Sequence, residues 1–482
     1  MKKLDALESI MLALETPKAA NHAGVLQIFR LPSRGGKAYF ERVHQALLAS
    51  EPVQPFNLIP GFSPGKGPHW KVAERYDAHY HVLRIALPAP GSEEQLMEMV
   101  SGLYPGLLDR KLPLWRSFLI EGLSDNRFAL FTKVHHAYAD GISGARMILG
   151  SLNDKPMAAK IVPLWALPPE KKKAKTKKKS PPGGRLGRVA REARQNADAL
   201  TDLAGEFSRI GARLLGQPGG KLATPLGAQK TSLDKQFASG ARSFSCGSFP
   251  MEEMRKLGRA YDATINDVVM TVCDHAMQRY LRENGELLND RLTGMLAVST
   301  RAPGDEDTAN AAALALVRLG EVDVDIITRL QQVTHETRQL KEHVRSRSAK
   351  SMFYSSMLLF GTQLIKGLPW LSEQLPPNCN LVVSNVPAHG DKPLYLGSAR
   401  MEGIYTAPIV PAGIPVNVTL APYAGKLCFG VGAGSEVMPD TQRYATLIED
   451  AYAELVGAVS AVGARPARKT VAGRSSAKRP TH

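Results

Sequence analysis

The chain has 482 residues, 44% of them hydrophobic and 22% charged, with a net charge of +16. That balance suits a globular protein long enough for two sizeable domains, and no apolar run approaches the length needed to span a bilayer. Cys246, Cys273, Cys379 and Cys428 are widely spaced with no C-x-x-C pair, which excludes a disulfide or zinc framework and fits reduced, mostly buried thiols.

The first 155 residues read as mixed α/β. The pattern predicts an amphipathic helix over 4–15, a strand over 24–29, a helix over 37–49, a strand over 79–83 and a helix over 93–103. An apolar, β-favouring run over 127–134 predicts another strand, and 142–149 a helix start.

Composition then shifts. Seven lysines fall within residues 171–179, followed by Pro181, Pro182, Gly183 and Gly184, which is linker chemistry. Residues 188–215 place Val189, Leu200, Phe207, Ile210 and Leu214 at helical spacing, a helix expected to pack on the core, with a place on a membrane surface as the alternative. The second half predicts helices over 251–261, 265–284, 321–343, 351–368 and 441–461, and strands over 292–299, 379–384, 416–420 and 427–432. The expected organisation is an N-terminal domain (1–155), a basic linker and crossover helix (156–240), a C-terminal domain (241–463) and a basic disordered tail (464–482).

The tail carries six Lys or Arg and no acid, so tail and lysine run together hold thirteen positive charges and the rest is near balance. Flexible basic segments bind anionic surfaces, or act as solvated spacers. Without a nucleic-acid motif or aromatic interleaving, an anionic membrane surface is the expected partner and nucleic acid is not. The N-terminus lacks the apolar core of a signal peptide, so a cytoplasmic location is expected.

Residues 135–141 carry the chemistry: His135, His136, Asp140 and Gly141 in the pattern HHxxxDG. Adjacent residues at a strand end point in opposite directions, so one histidine can face substrate while the other packs inward. Neutral imidazole takes a proton from an alcohol and returns it to a leaving group. Asp140 can hold the turn, cap the helix or pair with a distant arginine. His and Asp are also zinc ligands, but no nearby Cys or Glu completes a set, so no metal is expected. Asn266 can cap a helix or donate to a substrate oxygen, and Asn385 can form a turn or do the same.

HHxxxDG, with Pro113-Leu114-Trp115 upstream, Asn266-Asp267 in the second half and Ser384-Asn385-Val386-Pro387 after an apolar run, resembles the bacterial wax ester synthase/acyl-CoA:diacylglycerol acyltransferase family. The resemblance runs from Leu4 to about Leu455. It implies two chloramphenicol acetyltransferase-like α/β domains with mixed sheets and an active-site channel between them. It implies long-chain acyl-CoA as substrate, no cofactor, and a fatty alcohol or diacylglycerol as acceptor; the basic stretches together with such apolar substrates lead to the expectation of peripheral attachment to the inner membrane face or lipid inclusions.

Carried onto this chain, the resemblance makes His136 the general base. His135 and Asp140 support it, Gly141 allows the turn, and Arg301 is the candidate partner of Asp140. Asn266, Asn385 and Ser384 are oxyanion or substrate-binding candidates. Pro113, Leu114, Trp115 and Asp267 are structural support. The chain departs from the family at Ala388-His389, at Asn21-His22-Ala23-Gly24 and at Arg116 after Trp115, which bears on substrate preference. Two rival readings are an HHxxxDG acyltransferase using a carrier-protein-bound donor and a non-catalytic lipid-droplet or membrane-binding homologue.

Overall fold

The computed structural model describes residues 2–34, 36–65, 67–138, 141–157, 160–168, 201–202, 204–212, 223–299, 312–366, 374–386, 391–411 and 413–463. The lysine run, the tail, Asp140, Arg301, Pro387, Ala388 and His389 lie outside them.

The first half begins with a two-residue strand β1 (Lys2–Lys3) and helix α1 (Ala6–Leu14). Asp5 caps α1: its carboxylate accepts from Glu8 N at 2.7 Å, while Glu8 accepts from Asp5 N at 2.8 Å, a reciprocal box that satisfies two otherwise orphaned amides. There follow β2 (His22–Arg30), α2 (Gly36–Leu48), the hairpin β3 (Leu58–Ser63) and β4 (Gly67–Val72), a single helical turn α3 (Ala78–His81), β5 (Val82–Ala86), α4 (Glu93–Leu103), β6 (Trp115–Leu123), β7 (Arg127–His135) and α5 (Gly141–Gly150). The expected strand over 79–83 is corrected at its start. Asp77 accepts from the His79 and Tyr80 amides and holds Ala78–His81 as a helical turn, so the strand begins at Val82.

The second half contains β8 (Arg242–Pro250), α6 (Met251–Ala260), α7 (Ile265–Glu283), β9 (Thr293–Ser299), β10 (Ala312–Arg318), α8 (Ile326–Ser346), α9 (Ala349–Lys366), β11 (Leu381–Asn385), β12 (Tyr395–Leu396), β13 (Ala399–Ala407), β14 (Val416–Tyr423), β15 (Lys426–Gly434) and α10 (Thr441–Gly463). Residues 204–212 are also helical. In this segment Ile210 is buried but Phe207 is 59% exposed, so its apolar positions do not all face the core.

Two six-stranded mixed sheets form, in the orders β12-β13-β2-β7-β6-β5 and β10-β9-β11-β14-β15-β8, beside a small sheet β1-β4-β3. β13 lies late in the chain, within 241–463, yet pairs antiparallel with β2 in the first sheet. The segment after β11 therefore crosses over, completes the first sheet and returns to the second as β14. The sheets approach closely at this crossover. A Cβ at Gly430 of β15 would lie 1.9 Å from the Thr406 carbonyl oxygen of β13, so only glycine allows that contact. Leu26, Ile28 and Phe131 of the first sheet share a core with Phe244 of the second and Ala407 of the crossing strand.

Candidate active site

The central pair β2/β7 sets the site. His22 and His135 are directly opposite in its register, and the chain turns as it leaves His135. Four bonds fix that turn. His135 N donates to Leu114 O at 2.9 Å, His136 N to Asn21 O at 2.9 Å and Tyr138 N to His135 O at 3.0 Å. Ala137 N donates to His135 Nδ1 at 3.1 Å. His135 is fully buried, and His136 is half-buried. The alternation at the strand end thus turns one imidazole inward and leaves the other nearer the surface.

Because His135 Nδ1 accepts a backbone amide, the ring proton sits on Nε2. That nitrogen faces Glu15 Oε1 at 3.5 Å, a long contact between two fully buried side chains. Glu15 also accepts from Asn21 N at 3.0 Å and from Arg110 at 3.2 Å. Burial pushes its carboxyl up, but His135, the Asn21 amide and Arg110 outweigh this and bring it to about 2. Glu15 is therefore an anion at any working pH. It holds His135 through its ring and His136 through Asn21, whose carbonyl receives the His136 amide.

The Pro113-Leu114-Trp115 segment touches the same turn. Leu114 O accepts from His135 N, and Leu114 N donates to the Tyr138 hydroxyl at 2.7 Å. That hydroxyl in turn donates to Leu58 O in β3. Trp115 is fully buried. Its indole N–H donates to Phe56 O at 2.9 Å, and its ring lies 4.5 Å from both Trp165 and His81. Arg116 guanidinium packs over the Tyr80 ring at 4.8 Å.

The flanking basic groups are buried as well. Lys133 donates to Pro105 O at 2.9 Å, and burial, then Arg116, lower its ammonium to about 8. His22 Nε2 lies 2.6 Å from Tyr104 O. Burial, then the Lys133 charge, lower His22 to about 4, so it is neutral near pH 7.

The remaining candidates form a second group. Asn385, at the end of β11, donates through Nδ2 to Asn266 Oδ1 at 3.4 Å. Asn266 lies in the first turn of α7, beside Thr264, which caps the helix with Asp267. Asp267 is buried and accepts from Thr264 N at 2.8 Å and Thr337 Oγ1 at 2.7 Å. It therefore ties α7 to α8. Ser384 aligns with Thr419 of β14, and Gly141 opens α5. Among the described residues, no group of three His, Cys, Asp or Glu could hold a metal ion.

Glu15, Arg110 and Tyr138 were not singled out from the sequence. Glu15 ends a helix with no motif around it, and Tyr138 occupies one of the variable HHxxxDG positions. Only the fold brings them to the turn.

Residues 4–269 match the family described as wax ester synthase/diacylglycerol acyltransferase catalytic domain, and residues 308–456 match the corresponding C-terminal domain. The chain belongs to the wax ester synthase/diacylglycerol acyltransferase family. It is 31% identical over 95% of its length to the whole of a putative diacylglycerol O-acyltransferase from Mycobacterium tuberculosis. It is 30% identical over 93% of its length to 96% of the O-acyltransferase WSD of Acinetobacter baylyi. The wax ester synthase/diacylglycerol acyltransferase of Marinobacter aquaeolei VT8 superposes with a TM-score of 0.73 at 27% identity, covering 95% of this chain and all of that one. A condensation domain of the calcium-dependent antibiotic synthetase shares the fold, with a TM-score of 0.55 at 15% identity over 95% of this chain and 96% of that one. This family member is an O-acyltransferase with two chloramphenicol acetyltransferase-like halves.

Proposed function

We propose that this acyltransferase moves a long-chain acyl group from acyl-CoA to the hydroxyl of a fatty alcohol or diacylglycerol, with His136 as general base. The observation that carries the reading is the division within the histidine pair. His135 is fully buried, with Nδ1 and Nε2 directed at Ala137 and Glu15, whereas His136 is half-buried on a pinned backbone. The names of the relatives, diacylglycerol O-acyltransferase and wax ester synthase, supply the two acceptor classes.

A thioester is already activated, so the reaction needs a base, a stabilised oxyanion and exclusion of water. The His136 imidazole takes the acceptor's hydroxyl proton as its oxygen attacks the thioester carbon. The tetrahedral oxyanion is stabilised by amide N–H donors, for which Asn266 and Asn385 are the candidates. Collapse breaks the C–S bond, and the imidazolium returns the proton to the CoA thiolate. The protein works peripherally at an anionic membrane face or lipid inclusion. Among the described residues no helix is long and apolar enough to cross a membrane, and the basic runs at 171–179 and 465–482 supply the attraction.

The test is CoA-thiol release by the purified protein with palmitoyl-CoA, run with hexadecanol, with diacylglycerol and with no acceptor. Acceptor-dependent release is expected, and the faster acceptor ranks the two ester products. Folded protein that releases no CoA with either acceptor, but works with a carrier-protein-bound acyl group, would overturn the donor assignment.

A further inference from the structure

A second feature with ligand-binding chemistry lies at the outer edge of the second sheet, on elements that do not carry the HHxxxDG turn. The helical residues 204–212, edge strand β10, the end of α8 and helix α9 enclose a cleft. Its walls are apolar: Leu316, Leu340, Val344, Met352 and Leu359 are all buried, and Leu314 joins them.

The polar residues at the cleft are unevenly paired. Arg347 is neutralised by Glu206 at 2.5 Å and by Asp202 at 3.8 Å, and Glu206 also accepts from Ser355 Oγ at 2.8 Å. His343 is pushed below its ordinary value by burial, then by Arg347 and Arg209. The two carboxylates match the two guanidiniums in charge, but both pair with Arg347, and Arg209 makes no ion pair with a described residue. Its Nε is buried and meets no acceptor among the described residues. A buried guanidinium donor without an acceptor is costly, and a carboxylate or phosphate satisfies it with two parallel bonds.

An unpartnered guanidinium donor above an apolar wall matches an anionic head on a hydrocarbon chain. The outer faces of the same two helices support access from a lipid phase, because Phe207, Tyr354 and Ile365 there are 59%, 37% and 41% exposed. We propose that this cleft binds a single-chain anionic amphiphile, its head on Arg209 and its chain along Leu314, Leu316, Leu340 and Leu359. The site goes beyond the transferase reading and stands whichever acyl donor that reading requires.

The test uses the full chain and a diazirine-bearing lauric acid below its micelle concentration, with cross-linked peptides mapped by mass spectrometry. Cross-links are expected on β10, on the end of α8 and on α9. Arg209→Ala should lower them about tenfold, and Arg209→Lys should retain part. Leu314→Trp, which fills the cleft but keeps the cation, should also abolish them. Laurate and dodecyl phosphate should both compete, their ranking separating a carboxylate from a phosphate head, while dodecyltrimethylammonium should not. Labelling that is unchanged in both Arg209→Ala and Leu314→Trp, that is competed equally by the cationic amphiphile, or that falls only on other segments would overturn the proposal. His136→Ala leaves this labelling intact, so failure of the transferase reading and failure of the cleft are read separately.

Discussion

The Glu15 carboxylate faces His135 Nε2 at 3.5 Å, with both side chains fully buried, directly beneath the backbone that presents His136. Asn21 joins the two histidines: its amide N–H donates to Glu15, and its carbonyl receives the His136 amide. The acid thus positions His136, the proposed general base, through the backbone and through its neighbour.

Replacing Glu15 with Gln keeps the shape and removes the charge. Small displacements of a reacting group cost large factors in rate, so kcat should fall roughly 10- to 100-fold with KM for the acceptor little changed. Glu15→Asp should lie between. Steady-state kinetics with hexadecanol reads the split, and an equal loss in kcat from a remote surface Glu→Gln change would remove the positioning role.

His135→Ala strips the partner from Glu15 and from the Ala137 amide. Leaving buried polar groups unsatisfied costs about 1–3 kcal/mol. Urea unfolding should show that loss as a lower midpoint at constant slope, and an unchanged midpoint would contradict the buried geometry.

Trp115 fills the space between Trp165, His81 and Phe56. Trp115→Ala should destabilise by about 3–5 kcal/mol through the cavity it leaves, and Trp115→Phe by less. A melting temperature within error of wild type for the alanine variant would count against the stack as a support.

Stability should fall on acidification in two windows. His22 and His81 are each lowered from 6.5 to about 4, chiefly by burial. Both favour the neutral ring when folded, so the unfolded chain binds their protons first, and stability is lost as pH falls from 6.5 through 4. Glu15, lowered from 4.5 to about 2, contributes stability present above 4.5 and lost as pH falls through about 2. Urea midpoints across pH 7.5 to 3 should decline throughout, and His81→Phe should flatten the upper window. A midpoint independent of pH between 6.5 and 4 would sink the assignment.

Asn266 and Asn385 hydrogen-bond to each other. If they act as a unit on the substrate oxygen, the two alanine substitutions should be non-additive in kcat/KM, with the double variant little worse than the more impaired single one. Strict additivity would argue for independent roles.

Much of the fold could be read from the sequence because burial is periodic where one face is covered. Helices α1, α2, α4, α6 and α7 fall within two residues of the expected ranges, as does the start of α10. The strands that were not anticipated share a physical reason. β6 begins at Trp115, the last residue of the Pro113-Leu114-Trp115 segment, and β8 and β13 carry Gly247, Pro250, Glu402 and Gly403, residue types depleted in strands. They become strands because a partner edge is waiting for them, an effect of tertiary context. β13 is the extreme case, since nothing local in Ala399–Ala407 signals pairing with His22–Arg30 on the other half. The site follows the same rule. HHxxxDG and Pro113-Leu114-Trp115 are visible as motifs, whereas Glu15 becomes part of the site only when the fold brings the end of α1 beside His135.

The central claim is that His136, and not its neighbour, handles the proton. The most direct measurement is CoA-thiol release from palmitoyl-CoA with hexadecanol by His136→Ala whose melting temperature matches wild type. The account predicts a loss of about 10²- to 10⁴-fold in kcat, with acyl-CoA binding retained. A folded His136→Ala protein that turns over at the wild-type rate would contradict it.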